Sequence, residues 1–214
     1  MKKFDLPIGV YAITDSKSGK NKKFLEYCED LLKGGAKIIQ YREKKRDLKL
    51  LLEEAKALRE LTLKYNATFI VNDYLDIALL SEADGIHIGQ DDLPIKDVRK
   101  ILGENKIIGI STHNPQEAQQ AIIDGADYIG VGPIFYTETK EDVCAPVTLE
   151  YLDFVNKNIK LPYVAIGGIK ENNIDKVLAM GAKSICLVSE LVGADNTLET
   201  TKRINNIIKH WHKN

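Results

Sequence analysis

The sequence predicts a single α/β domain over residues 1–214, folded as a (β/α)8 barrel, also called a TIM barrel. Three observations lead to this fold class. Eight short runs rich in β-branched residues occur along the chain, segments with a helical pattern separate them, and a length of 214 residues leaves each repeat only about 27 residues. Right-handed crossovers between successive parallel strands would close such a series into a barrel.

The eight runs are the predicted strands. They show little polar alternation, which is typical of strands buried on both faces of a parallel sheet. In chain order they are GVYAIT from Gly9, KIIQYRE from Lys37, TFIVND from Thr68, GIHIGQ from Gly85, KIIGIST from Lys106, YIGVGPI from Tyr128, YVAIGGI from Tyr163 and SICLVSE from Ser184.

The segments between the runs are predicted helices. Apolar residues in 24–32 and 51–65 recur every three or four positions, so each segment has one apolar face. Asn114, Pro115 and Glu117 combine a capping side chain, a first-turn proline and a capping-box acid, and they predict the start of a helix. Helix ends are predicted at glycines that can adopt positive φ, namely Gly35, Gly125 and Gly181.

An open, doubly wound sheet is the alternative architecture. Its dinucleotide-binding form carries G-x-G-x-x-G after the first strand, whereas residues 14–17 read TDSK here. The barrel is therefore favoured.

Composition excludes several functional classes. The chain has 30 Lys and Arg against 31 Asp and Glu, so its net charge of -1 gives no long-range field for nucleic acid or an anionic membrane. A hydrophobic share of 44% is too high for a disordered chain, and no apolar stretch approaches the roughly 20 residues of a membrane span. Cys28, Cys144 and Cys186 lack metal-ligand spacing, and no signal-like segment opens the chain, which favours a cytoplasmic location.

In a barrel of this type, functional side chains gather at the C-terminal ends of the strands. After the second strand, Gln40, Arg42 and Lys44 occupy alternate positions, so their side chains share one face. One amide and two cations thus point the same way. The alternative is a solvated strand end that carries basic residues. The third strand ends in Asn72 and Asp73.

Carboxylates follow the third and fourth strands. Asp73 with either Asp91 or Asp92 could supply the one or two carboxylates that Mg²⁺ takes from proteins. The alternative is that they cap helices, since aspartate is a favoured N-cap residue and a helix is predicted soon after Asp91. His87 lies between two isoleucines of the fourth strand, where a hydrogen-bonded core histidine is the alternative to a site residue.

Hydroxyl and glycine residues complete the predicted site. Ser111 ends the fifth strand, and the longest loop carries Thr137, Thr139 and Lys140, which could bind phosphate oxygens or form an ordinary polar loop. Gly168 and Ser189 follow strands seven and eight, where many barrels bind a phosphate through backbone N–H groups. A tight turn is the alternative for the glycine. No nucleophile elbow is present, so electrostatic stabilisation of a departing pyrophosphate fits these residues better than covalent catalysis.

Six segments, in order and spacing along nearly the whole chain, resemble the thiamine phosphate synthase family. They are QYREK (40–44), VND (71–73), ADGIHIGQDD (83–92), GIST (109–112), GVGPIFYTETK (130–140) and AIGGI (165–169). The resemblance implies a barrel transferase of thiamine biosynthesis that joins hydroxymethylpyrimidine pyrophosphate to thiazole phosphate with Mg²⁺. It also implies a dissociative reaction, in which pyrophosphate leaves before the thiazole nitrogen captures the pyrimidine carbocation.

The same resemblance implies roles for individual residues. Asp73 and Asp92 would bind Mg²⁺, while Gln40 and His87 would lie near the pyrimidine. The pyrophosphate would be held by Arg42, Lys44, Asn72, Ser111 and Lys140. The thiazole phosphate would meet Thr137, Thr139, Gly168, Val188 and Ser189.

Two positions depart from the family pattern. Tyr136 stands where the family usually has proline, and Thr148 where it usually has glycine, so loop geometry is the property most affected.

Three other functions are alternatives. They are a TenI-like thiazole phosphate isomerase or regulator, a phosphate-binding isomerase or epimerase that uses His87 with Asp73, and a non-catalytic barrel. The sequence does not fix the oligomeric state, and a homodimer is compatible with it.

Overall fold

Eight parallel strands close into a barrel in the computed structural model, which describes residues 4–19, 22–44, 46–139 and 144–213. Each strand pairs with the next in the chain, and β8 pairs with β1, so the sheet has no free edge. The strands are β1 Gly9–Ile13, β2 Ile38–Tyr41, β3 Thr68–Asn72, β4 Gly85–Ile88, β5 Ile107–Thr112, β6 Tyr128–Val131, β7 Tyr163–Ile166 and β8 Ser184–Cys186. The predicted (β/α)8 fold is confirmed.

Helices follow the strands on the outside of the barrel. They are α1 Ser16–Gly19, α2 Phe24–Lys33, α3 Leu48–Lys64, α4 Leu75–Leu80, α5 Ile95–Leu102, α6 Pro115–Asp124, α7 Thr148–Asn158, α8 Ile174–Ala179, α9 Val188–Val192 and α10 Thr197–Trp211. Within the described ranges, no helix combines the length and the apolar character needed to cross a membrane.

The barrel has two hydrophobic layers because successive residues of a strand point to opposite faces. Outward residues of the strands, such as Val10 and Ala12, pack under the helices in one large cluster. Inward residues such as Tyr11 and Ile13 fill the lumen, together with Leu6 from the segment before β1. The lumen is therefore a packed core, and its C-terminal mouth is where a barrel of this type carries its site.

The predicted capping signals are confirmed. Asn114 is the N-cap of α6, and its side chain accepts a hydrogen bond from the Glu117 backbone N–H at 2.9 Å. The predicted helix-ending glycines all have positive φ, at 100° for Gly35, 85° for Gly125 and 87° for Gly181. These local signals end each helix where the chain must turn back into the sheet.

The predicted runs extend one to four residues beyond the observed strands, and the excess is largest for the last run. The run SICLVSE was expected to form one strand, but β8 ends at Cys186 and the chain enters α9 at Val188. Cys186 pairs with Ile166, the last residue of β7, so β7 offers no partner to the following positions, and the pairing with β1 ends at Ile185. Val188 and Ser189 thus lie in the first turn of a short helix.

Two ion pairs of the same design lie just before β4 and β6. Asp84 accepts the backbone N–H of Phe69 at 2.8 Å and pairs with Arg59 at 2.9 Å. Asp127 accepts the backbone N–H of Ile108 at 2.8 Å and pairs with Arg99 at 2.7 Å. Each aspartate therefore ties the start of its strand to the preceding strand, at the end of the barrel away from the mouth.

Candidate active site

Two cavities open at the C-terminal ends of the strands. The β2–β5 cavity, of about 130 Å³, lies over strands two to five. The β6–β8 cavity, of about 140 Å³, lies over strands six to eight and the loop after β6. Both cavities are lined by the same five residues at their common wall, which are Ile13, Arg42, Ser111, Gly130 and Ile166. The barrel mouth is thus one site with two halves.

The structure brings the predicted site residues together at this mouth. The β2–β5 cavity is lined by Gln40, Arg42, Lys44, Asn72, Asp73, His87, Asp92 and Ser111. The β6–β8 cavity is lined by Arg42, Ser111, Thr137, Thr139, Gly168, Val188 and Ser189. Lys140 lies outside the described residues, and its role stays a prediction.

A lysine and two aspartates form one corner of the β2–β5 cavity. Lys44 Nζ lies 3.1 Å from Asp73 Oδ2, and Asp92 Oδ2 accepts the backbone N–H of Gly89 at 2.7 Å. Burial raises the pKa of Asp73, the negative charge of Asp92 raises it further, and the Lys44 ammonium opposes both effects. Two carboxylates close enough to repel each other beside a single ammonium form a site that favours an added cation.

The capping alternative for these aspartates is wrong. The N-cap of α4 is Tyr74, and that of α5 is Pro94. Asp91 is exposed and does not line either cavity, whereas Asp92 does. In the described part of the chain, no group of three or more His, Cys, Asp or Glu residues could hold a metal ion. The carboxylates of Asp73 and Asp92 would suit Mg²⁺, with water and phosphate oxygens supplying the other ligands.

A chain of hydrogen bonds crosses the barrel lumen beneath the mouth. Gln40 Nε2 donates to the Tyr11 hydroxyl at 2.9 Å, and the hydroxyls of Tyr11 and Tyr128 lie 2.7 Å apart. The Tyr128 hydroxyl lies 2.9 Å from Nδ1 of His87, whose Nε2 lies 3.0 Å from Ser111 Oγ. His87 is thus both a hydrogen-bonded core histidine and a residue of the cavity wall.

The Gln40 amide nitrogen can only donate, so the Tyr11 oxygen accepts at this end of the chain. Either tyrosine can donate the bond between the two hydroxyls, because a phenol oxygen can accept two hydrogen bonds, and the tautomer of His87 sets the direction of the bonds to Tyr128 and Ser111. Burial raises the pKa of Tyr11 and of Tyr128 well above the usual value, so both phenols keep their protons. In the tautomer that carries its proton on Nε2, His87 donates to Ser111 and leaves the Ser111 hydroxyl proton for an acceptor in the cavity.

Tyr11 and Tyr128 were missed in the sequence. They sit inside predicted strands, where tyrosine reads as an ordinary core residue. A signal was present: Tyr11 is two residues before Ile13 on β1, and Tyr128 is two before Gly130 on β6, and both of those residues line the cavities. Period-two spacing from a mouth residue places a side chain on the same inward face.

Glycines shape the β6–β8 cavity by letting two loops pack closely. Gly167 and Gly168 have φ values of 99° and 61°. A Cβ on Gly168 would lie 2.4 Å from the Tyr136 carbonyl oxygen, and Phe135 donates its backbone N–H to the Gly167 carbonyl at 3.0 Å. The glycine pair therefore has a packing role that the sequence interpretation did not include, in addition to lining the cavity.

Two positions depart from the family pattern, Tyr136 in the long loop after β6 and Thr148 at the start of α7. Tyr136 is exposed and donates to Glu138 Oε1 at 3.0 Å. Thr148 has a φ of 67°, in the region that glycine favours, so a β-branched residue is strained where the loop enters α7. Thr137 and Thr139 place their hydroxyl oxygens 3.1 Å apart at the cavity wall.

The family model and the similar sequences point to the same family. The family model described as thiamine monophosphate synthase matches residues 10–191. The thiamine-phosphate synthase of Lawsonia intracellularis is 53% identical over 191 residues, covering 89% of this chain and 88% of its own. That of Pelotomaculum thermopropionicum is 51% identical over 203 residues, covering 95% and 93%.

A solved structure agrees. The thiamine phosphate pyrophosphorylase from Pyrococcus furiosus superposes with a TM-score of 0.87 at 35% identity, over 95% of this chain and 96% of that one. Both the sequence and the barrel architecture therefore match over nearly their full length, and the chain belongs to the thiamine monophosphate synthase family.

Proposed function

We propose that this transferase condenses 4-amino-5-hydroxymethyl-2-methylpyrimidine pyrophosphate with hydroxyethylthiazole phosphate, giving thiamine phosphate and pyrophosphate. The observation that carries the proposal is the two-part mouth, in which a lysine–aspartate corner and a second cavity share a wall formed partly by Arg42 and Ser111. Two phosphorylated substrates could lie side by side there. The names of the relatives support the same reaction.

The pyrophosphate would occupy the β2–β5 cavity. The bond from the pyrimidine methylene carbon to the pyrophosphate oxygen breaks, and the electron pair leaves with the pyrophosphate. Arg42, Lys44, Asn72 and Lys140 would stabilise the charge that develops on the leaving group. Asp73 and Asp92 would hold Mg²⁺, which when bound neutralises charge on pyrophosphate oxygens.

Ser111 would add a directed hydrogen bond to the leaving group. With His87 donating from Nε2, the Ser111 hydroxyl would accept that bond and keep its own proton for an oxygen in the cavity. Gln40 and His87, which line the same cavity, would lie beneath the pyrimidine. The methylene carbon left by pyrophosphate is a cation, and the thiazole nitrogen supplies the electron pair of the new carbon–nitrogen bond.

The thiazole phosphate would occupy the β6–β8 cavity. Its ring would meet Thr137 and Thr139, and its phosphate would meet Gly168, Val188 and Ser189. Val188 and Ser189 begin α9, where backbone N–H groups have no carbonyl partner within their own helix. Those donors suit phosphate oxygens.

Two of the alternative functions fit the geometry less well. An isomerase that used His87 with Asp73 would need a free imidazole nitrogen, but both nitrogens of His87 lie within 3.0 Å of hydroxyl oxygens of other residues. A TenI-like isomerase acts on a single monophosphate and gives no role to the Lys44–Asp73 corner. A condensing enzyme uses both halves of the mouth.

The test is a condensation assay with both substrates. We expect Mg²⁺-dependent release of thiamine phosphate and pyrophosphate, and we expect a chelator to abolish it. Folded protein that forms no product with Mg²⁺ and both substrates would overturn the proposal. Asp92→Asn should raise the Mg²⁺ concentration needed for half-maximal rate, with Asp91→Asn as the matched control because Asp91 lines neither cavity. Identical Mg²⁺ titrations for the two variants would remove Asp92 from the metal site.

We also propose that the chain works in the cytoplasm. Cys28 and Cys186 are buried and Cys144 is exposed, and all three are free thiols, which suits a reducing compartment. A homodimer stays a prediction, and sedimentation of the purified chain tests it.

A further inference from the structure

We infer that His113 is an additional substrate-binding residue of the β6–β8 cavity and that Glu117 is the positioning residue that orients it. The inference rests on the proposed function, since it names a further contact to the thiazole phosphate. His113 lines the same cavity as Thr137, Thr139 and Gly168. In the chain it directly precedes Asn114, the N-cap of α6.

His113 is held by a single carboxylate. Glu117 Oε2 accepts the backbone N–H of His113 at 2.8 Å and lies 2.9 Å from Nδ1 of its ring. The other carboxylate oxygen, Oε1, accepts from the Asn114 side chain at 2.6 Å. The ring is therefore fixed relative to both β5, which ends at Thr112, and α6, which begins at Pro115.

This arrangement assigns the two ring nitrogens. A carboxylate only accepts hydrogen bonds, so Nδ1 must carry the proton that faces Glu117. Nε2 is on the opposite edge of the ring, and among the described residues it has no hydrogen-bond partner. Only 30% of the side chain is exposed, so the ring is neither free in solvent nor part of the core.

The position of the ring suits a substrate contact. An imidazole oriented by a carboxylate through one nitrogen, with the other nitrogen directed at a cavity, is the arrangement that proteins use to fix a histidine for ligand binding. The capping of α6 does not require an imidazole, because Asn114 already accepts from Glu117 N and the His113 backbone N–H needs no particular side chain. We assign Nε2 as the atom that meets the thiazole phosphate.

Three variants test the inference through the two Michaelis constants. His113→Asn places an amide where Nδ1 lies and leaves the Nε2 position empty, and His113→Gln extends an amide to the Nε2 position. We expect His113→Asn to raise KM for the thiazole phosphate about tenfold, as for loss of one hydrogen bond, with KM for the pyrimidine pyrophosphate within about twofold. His113→Gln should restore most of the affinity. Glu117→Gln should give an intermediate rise in the same constant.

Direct binding provides a second measurement that needs no turnover. Calorimetric titration of wild type and of His113→Asn with thiazole phosphate alone should give the same tenfold ratio of dissociation constants. Equal KM values for wild type and His113→Asn, equal rises for both substrates, or equal dissociation constants would each overturn the inference. These results differ from failure of the proposed function, in which the wild type itself would form no product.

Discussion

Removing the Tyr128 hydroxyl should damage both the stability of the lumen and the activity of the mouth. Tyr128 is fully buried, and its ring lies 5.4 Å from that of His87 and 6.1 Å from that of Tyr11. Tyr128→Phe keeps the ring and removes only the oxygen that joins Tyr11 to His87. The variant therefore interrupts the hydrogen-bond chain at its centre without opening a large cavity.

The expected cost follows from the hydrogen bonds that are lost. The Tyr11 hydroxyl and Nδ1 of His87 both lose their bond to the Tyr128 oxygen in the buried lumen. Loss of a buried hydrogen-bond partner costs about 1–3 kcal/mol, so we expect the free energy of unfolding to fall by about 2–4 kcal/mol. His87 also loses a contact that orients its ring beside Ser111. We expect kcat to fall about tenfold or more.

Urea denaturation and steady-state kinetics measure the two effects, and Tyr151→Phe is the matched control. Tyr151 is also buried, and its hydroxyl donates to Thr112 Oγ1 at 2.8 Å, but on the outside of the barrel. Thr112 keeps its own bond to the Gly130 carbonyl at 3.0 Å, so the control should lose about 1 kcal/mol and retain its kcat.

Two results would refute this reasoning. If Tyr128→Phe and Tyr151→Phe lowered the free energy of unfolding equally, the hydrogen-bond chain in the lumen would contribute no more to stability than a single hydrogen bond. If Tyr128→Phe kept full kcat at a temperature where it is folded, the chain would not orient Ser111.

Three further changes have definite expected outcomes. Gly109→Ala should lower the free energy of unfolding by about 1–3 kcal/mol in denaturant unfolding, because its Cβ would lie 2.2 Å from the buried ring of Tyr128. An alanine variant as stable as the wild type would contradict this close packing. Thr148→Gly should raise the free energy of unfolding by about 0.5–1 kcal/mol, because the strain energy relieved at this positive φ exceeds the free-energy cost of the entropy that glycine adds to the unfolded chain. A lower melting temperature would argue against strain there. Asp127→Asn should lower the free energy of unfolding by about 1–2 kcal/mol, because it weakens the hydrogen bonds to Arg99 and to the Ile108 backbone. Since these bonds lie far from the mouth, kcat measured in the condensation assay should be unchanged.

Much of the fold was predictable because the signals are local. Each strand is a continuous apolar run, and each of the helix-ending glycines marks a left-handed turn. The end of β8 was not predictable in this way, because it depends on where β7 stops. Apolar residues after Cys186 look like strand in the sequence, and the end of β7 beside them cannot be read from those residues.

The site was predictable where its residues follow strand ends. Gln40, Arg42 and Lys44 could be placed at the mouth because strand periodicity and barrel architecture fix their direction. The choice between Asp91 and Asp92 depends on the course of one loop, which no periodicity sets. Period-two spacing places Tyr11 and Tyr128 on the inward face, but their hydrogen bond could not be predicted, because the two hydroxyls meet only when strands one and six face each other across the lumen.

The wall shared by the two cavities would link the binding of the two substrates. Because Arg42 and Ser111 border both cavities, a ligand in one would change the charge and the hydrogen bonds that a ligand in the other meets. Thermodynamic linkage requires reciprocity: whatever factor one substrate applies to the affinity of the other, the second applies to the first. We therefore expect the two halves of the mouth to behave as one coupled binding unit, and inhibitors of either half should be measured with the other half both empty and filled.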